Sequence, residues 1–224
     1  MTKILIPVTN HATLGTTDEA NGTYAPELTH ALHVFLEAGF DYEIASIKGG
    51  KAPLYGTDTE DDQINTAMLS NDELQKKISN TIPISQLDIK QYDAIFYPGG
   101  FGLLSDLATN EEMAKLSAEH YESGGVLSAV CHGPAGLLPI TLSNGSKLLD
   151  SKSVTGFTRE EEIDFGTIEN IPFLLEESLA RNAAQYRKVK PWHEFVIEDE
   201  RVITGQNPAS ASAVAETLVS HLKK

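Results

Sequence analysis

The chain has 224 residues, 41% of them hydrophobic, and a single cysteine. This supports one α/β domain over residues 1–224 with a proper core; it excludes an internal disulfide and points to a reducing cytoplasm. With 17 basic and 32 acidic residues the net charge is −15, which argues against nucleic acid or an anionic membrane as partner. No transmembrane run is present, and the apolar stretch of the opening MTKILIPVTN is too short for a signal peptide.

Taken in chain order, Lys3 to Thr9 reads as a buried first strand and 10–25 as a polar loop. Pro26 starts a helix running to Ala38, with Leu28, Ala31, Leu32 and Phe35 at helical spacing, and Gly39 ends it. Tyr42 to Ile47 is the second strand. Residues 48–69 read as irregular, with the acidic TDTEDD of 57–62 as a solvated loop. Asn71 or Ser70 caps a short helix over 72–78, and Ala94 to Tyr97 is a third strand running into PGGFG. Thr109 and Glu112 have capping-box spacing for a helix over 110–122, whose face carries Met113, Leu116 and His120.

Val126 to Val130 is the next buried strand, and Gly133, Pro134 and Ala135 open a helix. Ser153 to Phe157 reads as a strand, Thr158 with Glu161 as a second capping box, and Pro172 to Asn182 as a helix. Glu194 to Ile197 and Arg201 to Thr204 read as a hairpin, and Asn207 caps a last helix with Pro208 at its first position. Alternating strands and helices predict a three-layer, doubly wound, mostly parallel sheet of flavodoxin type. Ligands in such sheets gather beyond the carboxyl ends of the strands. The 10–27 loop, PGGFG, Cys131–His132 and the residues after Phe157 all fall there.

Cys131 sits on the turn of a strand–turn–helix elbow, flanked by Ala129 and Gly133, which lets the backbone bend sharply and exposes the middle side chain. A helix N-terminus aimed at the sulfur predicts a lowered thiol pKa. His132 supplies an adjacent base. The N–H of Gly100, in the Gly99-Gly100-Phe101-Gly102 turn, pairs with the N–H of His132 as an oxyanion hole. Glu27, in the first helical turn, borders the buried face and reads as an acid beside the thiol. Of Glu160, Glu161 and Glu162, Glu161 is occupied by its capping box, so Glu162 is the freer residue to orient His132. His193 with Glu194 is an alternative triad pair, though His193 reads more simply as a loop histidine. His30 and His33 are two ligands three apart, too few for a metal site, and no metal is expected.

At AVCHGPAGLL the chain resembles the PfpI superfamily, with its class I glutamine amidotransferase-like fold. Within it, the chain looks like the branch of glutathione-independent glyoxalases (glyoxalase III) and heat-shock-type holding chaperones. YAPELTHALHVFLEAGFDYEIASIKGGKAPL, NTIPISQLDIKQYDAIFYPGGFG, SVTGFTREEE, PFLLEESL and VITGQNPASA carry the resemblance over nearly the whole length.

The resemblance implies Cys131 as nucleophile, His132 as base, Glu162 as third triad member with Glu161 its neighbouring alternative, Glu27 as the acid at the thiol and Gly100 as the oxyanion position. It implies a cofactor-free, D-lactate dehydratase (hydro-lyase) type activity in stress and detoxification, turning methylglyoxal or glyoxal into lactate or glycolate through a Cys131 hemithioacetal. A small 2-oxoaldehyde is the expected partner, with a homodimer and unfolded client proteins left open. The rivals are a holding chaperone without essential catalysis and a small thiol hydrolase or peptidase. Many relatives read GGHG where this chain has Phe101, which bears on substrate preference. Amidotransferase activity is not expected, because the chain has no second domain and its best histidine adjoins the cysteine.

Overall fold

The computed structural model describes residues 2–58 and 61–224. The main sheet contains β1 (Lys3–Val8), β2 (Asp41–Ser46), β3 (Ile82–Pro83), β4 (Ala94–Tyr97), β5 (Val126–Val130), β6 (Val196–Asp199) and β7 (Val202–Gly205). Their spatial order is β6-β7-β5-β4-β1-β2-β3. All pairs are parallel except the β6–β7 hairpin. This is the expected doubly wound α/β fold. Helix α1 (Ala25–Glu37) links β1 to β2, and α2 (Gln63–Leu69) and α3 (Asp72–Ser79) lead to the β3 edge. Then α4 (Glu111–Glu122) links β4 to β5. Helices α5 (Arg159–Phe165) and α6 (Leu175–Asn182) follow, and α7 (Ala211–Leu222) closes the chain.

The layers follow from the strand residues. Ile4, Leu5, Ile6 and Val8 are all fully buried, as expected of a strand covered on both faces. In β4 the Phe96 ring meets Phe35 of α1 edge-on at 5.5 Å. The next residue, Tyr97, sends its hydroxyl to Ser117 of α4 at 2.7 Å. Consecutive strand residues face opposite sides, so α1 and α4 lie on opposite faces.

The chain leaves β1 towards β2 on one side and returns to β4 on the other, so β1 and β4 flank the switch point of the sheet. Their ladder ends at Leu5–Ile95. Pro7, which lacks an N–H, cannot continue it there, while the β1–β2 ladder runs on to Val8–Ser46. The two strands therefore part at their carboxyl ends, where a ligand crevice forms in such sheets.

Several local expectations are corrected. Residues 48–69 are not wholly irregular: Leu54–Tyr55 pairs with Thr23–Tyr24, and α2 is capped by Asp62, which accepts from Asn65 N–H at 2.9 Å. In the acidic segment, Thr59 and Glu60 lie outside the described residues. Asn71 caps α3. Asn110, not Thr109, caps α4 by accepting from Met113 N–H at 2.7 Å; Asn is as good a cap as Thr, and here it lies one residue nearer the helix. The strand after Lys152 is only Ser153–Val154, paired with Gln185–Tyr186 outside the main sheet. The helix predicted from Pro172 begins at Leu175. Asn207 makes no cap, because its side-chain amide is used elsewhere, and a 3-10 turn at Pro208–Ser210 precedes α7.

The turn after Cys131 is tightly packed on β4. A Cβ on Gly133 would lie 2.3 Å from the Tyr97 carbonyl oxygen, a backbone atom that cannot swing away. Gly133→Ala is therefore expected to destabilise the protein by roughly 1–3 kcal/mol, read as a lowered Tm; an unchanged melting curve would contradict this packing.

Candidate active site

Cys131 is the first residue after β5 and has φ 60°, a left-handed conformation that costs a non-glycine residue about 1–2 kcal/mol. Two backbone hydrogen bonds fix it: its N–H donates to Gly205 O at 3.0 Å, and its carbonyl accepts from Phe157 N–H at 2.9 Å. The following segment, Gly133–Leu137, is a five-residue 3-10 helix rather than the expected α-helix. The side chain is 4% exposed.

The sulfur lies 3.4 Å from His132 Nδ1. On the other edge of that ring, Nε2 is 2.7 Å from Glu162 Oε1, and Thr167 Oγ1 donates to Glu162 Oε2. The imidazole is sandwiched between the Phe101 and Phe157 rings, each with its centroid 4.5 Å away. Its faces are held by phenyl groups while its two nitrogens point at the thiol and the carboxylate. The structure thus brings Cys131, His132 and Glu162 into one chain of contacts, all at most 4% exposed.

Glu161, the next residue back, points elsewhere. Its Oε2 accepts from the Thr158 N–H and hydroxyl at 2.9 and 2.8 Å. Its Oε1 accepts from Trp192 N–H, Gln206 Nε2 and Asn207 Nδ2 at 2.8, 3.1 and 2.7 Å. The capping box read from the sequence is present, but it is only part of this buried carboxylate's work. Glu161 ties α5 to the loop at Trp192 and to the end of β7.

Glu27, in the first turn of α1, is fully buried, and neither carboxyl oxygen has a well-formed hydrogen bond. The polar groups facing it are the Cys131 thiol and the Gly99 N–H. Burial pushes this acid up to about 8, against their opposing effect. The approach depends on Gly99, where a Cβ would stand 2.0 Å from Glu27 Oε2 and 2.7 Å from Cys131 Cβ. Burial, and then the neighbouring Glu27, push the Cys131 thiol well above its ordinary range. This reverses the expected direction. A five-residue 3-10 turn supplies little of the helix field on which that expectation relied, while desolvation penalises any anion.

Gly100 has φ 121°, and a Cβ there would strike Gly22 O at 2.4 Å. Among the described residues, the N–H groups of Gly100 and His132 make no hydrogen bond. Gly102 lies apart: it begins a single helical turn and packs against Thr9 and His11, away from the thiol. Phe101 is 3% exposed and forms an inner wall rather than the pocket mouth. His193 is exposed and its Nδ1 faces Pro191 O. His30 contacts Asp62 at 2.8 Å and His33 contacts Glu37 at 3.5 Å, so the two do not converge.

A cavity of about 210 Å³ opens over the thiol. Besides Phe101, Cys131 and His132 it is lined by Tyr24, Tyr55, Phe157, Phe165, Trp192 and Pro208. A larger, more open concavity of about 820 Å³ adjoins it at Tyr24 and Pro208 but contains no nucleophile. Apart from Phe101, sequence reasoning missed the aromatic wall. Trp192 stood beside His193 in PWHEF, and as the chain's only tryptophan it was the available signal; nothing local marked Tyr24 or Tyr55.

A buried thiol on a strained elbow, backed by an adjacent histidine and a carboxylate beyond the carboxyl ends of the strands, defines a cysteine-elbow protein of the flavodoxin-like α/β class. The DJ-1/PfpI family model matches residues 19–221, and the chain belongs to that family. It is 29% identical to Glyoxalase 3 of Candida albicans, over 98% of both chains. It is 28% identical to the glutathione-independent glyoxalase HSP31 of Saccharomyces cerevisiae, over 99% of this chain and 98% of that protein. Among solved structures it is similar to Rapid Encystment Protein 24 KDa of Francisella tularensis, at 33% identity and TM-score 0.94 over 99% of both chains. It also resembles glyoxalase III from Candida albicans, at 28% identity and TM-score 0.86, over 98% of this chain and 96% of that one.

The weakened acidity of Cys131 and Glu27 has measurable consequences. Cys131 alkylation is expected to titrate with a midpoint above the free-thiol value of about 8.5. Folded Glu27 holds its proton up to about pH 8, whereas the unfolded acid loses it near 4.5. Between these values the folded state binds the extra proton, so stability falls as pH rises through the window and levels off above it. The full loss is roughly 5 kcal/mol. Glu27→Gln should abolish that slope, making the variant the more stable protein above pH 8. Parallel Tm-versus-pH curves for the two proteins would refute the assignment.

Proposed function

We propose that this protein is a glutathione-independent glyoxalase that converts methylglyoxal to lactate, or glyoxal to glycolate, through covalent attachment to Cys131. The observation that carries the reading is the contact chain from Cys131 Sγ through both nitrogens of His132 to Glu162, set at the buried end of the cavity. Its relatives' names support it.

The thiol is neutral at rest and must lose its proton as it attacks. His132 Nδ1 takes that proton while Sγ bonds to the aldehyde carbon, and Glu162 steadies the resulting imidazolium, in the manner of a nucleophile–base–carboxylate triad. The N–H groups of Gly100 and His132 hold the hemithioacetal oxyanion, and protonated Glu27 acts as a further donor beside it. His132 returns the thiol proton to the oxyanion, giving the neutral hemithioacetal, and as a neutral base again it moves the hydrogen of the former aldehyde carbon, as a proton, to the neighbouring carbonyl carbon by way of an enediol. One carbon is oxidised as the other is reduced, so the electrons balance within the substrate. The resulting thioester is hydrolysed by one water, which releases the hydroxy acid and restores the thiol.

Purified protein given methylglyoxal should form lactate, measured directly, because loss of the aldehyde alone also reports reaction with surface amines. Cys131→Ala should abolish lactate formation and leave the fold intact. Turnover retained by that variant would sink the covalent mechanism.

The two adjacent glutamates should separate function from stability. Glu162→Gln is expected to lower turnover by roughly 10²–10⁴ through loss of the base's partner. Glu161→Gln places an amide N–H₂ among donors and should cost roughly 2–4 kcal/mol, more than a helix cap alone. The pair is read by kcat and Tm together; equal turnover losses at equal Tm would mean that Glu162 is not the orienting acid.

A further inference from the structure

The cavity over Cys131 is larger and more apolar than methylglyoxal requires. Six aromatic rings enclose it: Tyr24, Tyr55, Phe101, Phe157, Phe165 and Trp192. They form a connected set. Phe101 lies 6.1 Å from Tyr55 and 5.8 Å from Phe165. Trp192 lies 5.7 Å from Phe157 and 6.2 Å from Phe165, and Tyr24 lies 4.9 Å from Tyr55. These separations suit offset or edge-on aromatic contacts, and the geometry leaves the interior about 210 Å³. The groups already given to chemistry, Cys131 and His132, occupy one end.

Methylglyoxal has five heavy atoms and a single methyl group to place against these walls. An R–CO–CHO substrate with a flat or branched apolar R group would cover the rings and displace water that has few partners there. Apolar recognition rises with the area removed from water. Phe165 and Trp192 are 55% and 41% exposed, so they are the walls with most area left for such a substrate to cover. Phe101 is the wall that also grips His132, and it places the R-group site next to the reacting carbonyl.

We infer that this site prefers 2-oxoaldehydes carrying an aryl or bulky alkyl group, with Phe101 and Phe165 setting that preference. The inference rests on the proposed glyoxalase reaction for its chemistry, which is unchanged: R–CO–CHO and one water give R–CHOH–COOH.

The test compares kcat/KM for phenylglyoxal, with mandelate measured, against methylglyoxal, with lactate measured. Wild-type protein should favour phenylglyoxal by roughly tenfold or more, the scale that a few apolar carbons supply in a fitted pocket. Phe165→Ala should lower the ratio about fivefold. Phe101→Leu should lower it similarly, and because Phe101 is buried, the exposed Phe165 keeps the test independent of folding. A wild-type ratio at or below one, or a ratio unmoved in both variants, overturns the inference.

A second measurement does not depend on turnover: protection of Cys131 from iodoacetamide by acetophenone or acetone, neither of which bears an aldehyde. Acetophenone should protect at a concentration at least about tenfold lower. Such protection without formation of either hydroxy acid would uphold the pocket preference and reject the reaction. Lactate formation with methylglyoxal preferred, and equal protection by the two ketones, would do the reverse.

Discussion

A left-handed backbone at Cys131 is the constraint on which the site depends. Left alone, a cysteine at φ 60° relaxes at a gain of about 1–2 kcal/mol. It is kept there by β7 on one side and the segment before α5 on the other, through Gly205 O and Phe157 N–H. Each hydrogen bond is worth roughly 0.5–1.5 kcal/mol, so together they balance the strain. The bend also requires close neighbours without side chains. Gly99 lets the Glu27 carboxyl approach Cys131, Gly133 lets the turn lie on the Tyr97 carbonyl, and Gly205 meets Val214 and Ser210. The strain therefore extends beyond one residue and is shared among the ends of β4, β5 and β7 and the helices that cover them.

Three buried glutamates then acquire different properties from their surroundings alone. Glu161 accepts five hydrogen bonds, so both of its oxygens are fully partnered inside the protein. Glu162 faces His132 with one oxygen and Thr167 with the other. Glu27 has no well-formed partner and keeps its proton. Glu161 and Glu162 are neighbours on the seven-residue helix α5. The helical step of about 100° per residue turns one towards the β7 end and the other towards the imidazole. A shift of one residue along this helix would exchange the carboxylate that binds the loop at Trp192 for the one that faces His132.

The fold was largely legible because its signals are local and repeated. Continuous apolar runs such as ILI in β1 and VLSAV in β5 mark doubly covered strands, and Thr158 with Glu161 marks a helix start. The elbow was legible for the same reason: small residues around Cys131 are a local requirement of the bend. Two-residue strands such as Thr23–Tyr24 and Leu54–Tyr55 were not, since each exists only by pairing with the other across some thirty residues. The thiol's electrostatics were misjudged because a helix start can be read locally, whereas burial beside Glu27 is set by α1 and the Gly99 turn, 104 and 32 residues away in sequence. Phe101 and Trp192 could be seen as aromatic residues, but their meeting around one cavity is a property of the closed fold.

The aromatic walls and the protonated Glu27 serve the same chemistry under the proposed reaction. A permanent thiolate would be difficult to maintain in a space this dry, and an ionised Glu27 beside it would repel the oxyanion formed on attack. With both groups neutral at rest, charge arises only as the sulfur meets the carbonyl. The proton then sits on an imidazole clamped between Phe101 and Phe157 and backed by Glu162, and the new oxyanion meets donors already in place. In a low-dielectric site such fixed donors act more strongly than they would in water and need little reorganisation. The same apolar walls that exclude water from the enediol step extend to the half-open rim at Phe165 and Trp192, the side from which the single water needed for thioester hydrolysis can enter. Under that reaction substrate size and chemistry are coupled through Phe101, whose ring lies 4.5 Å from the imidazole and also lines the space that the substrate's side group would fill.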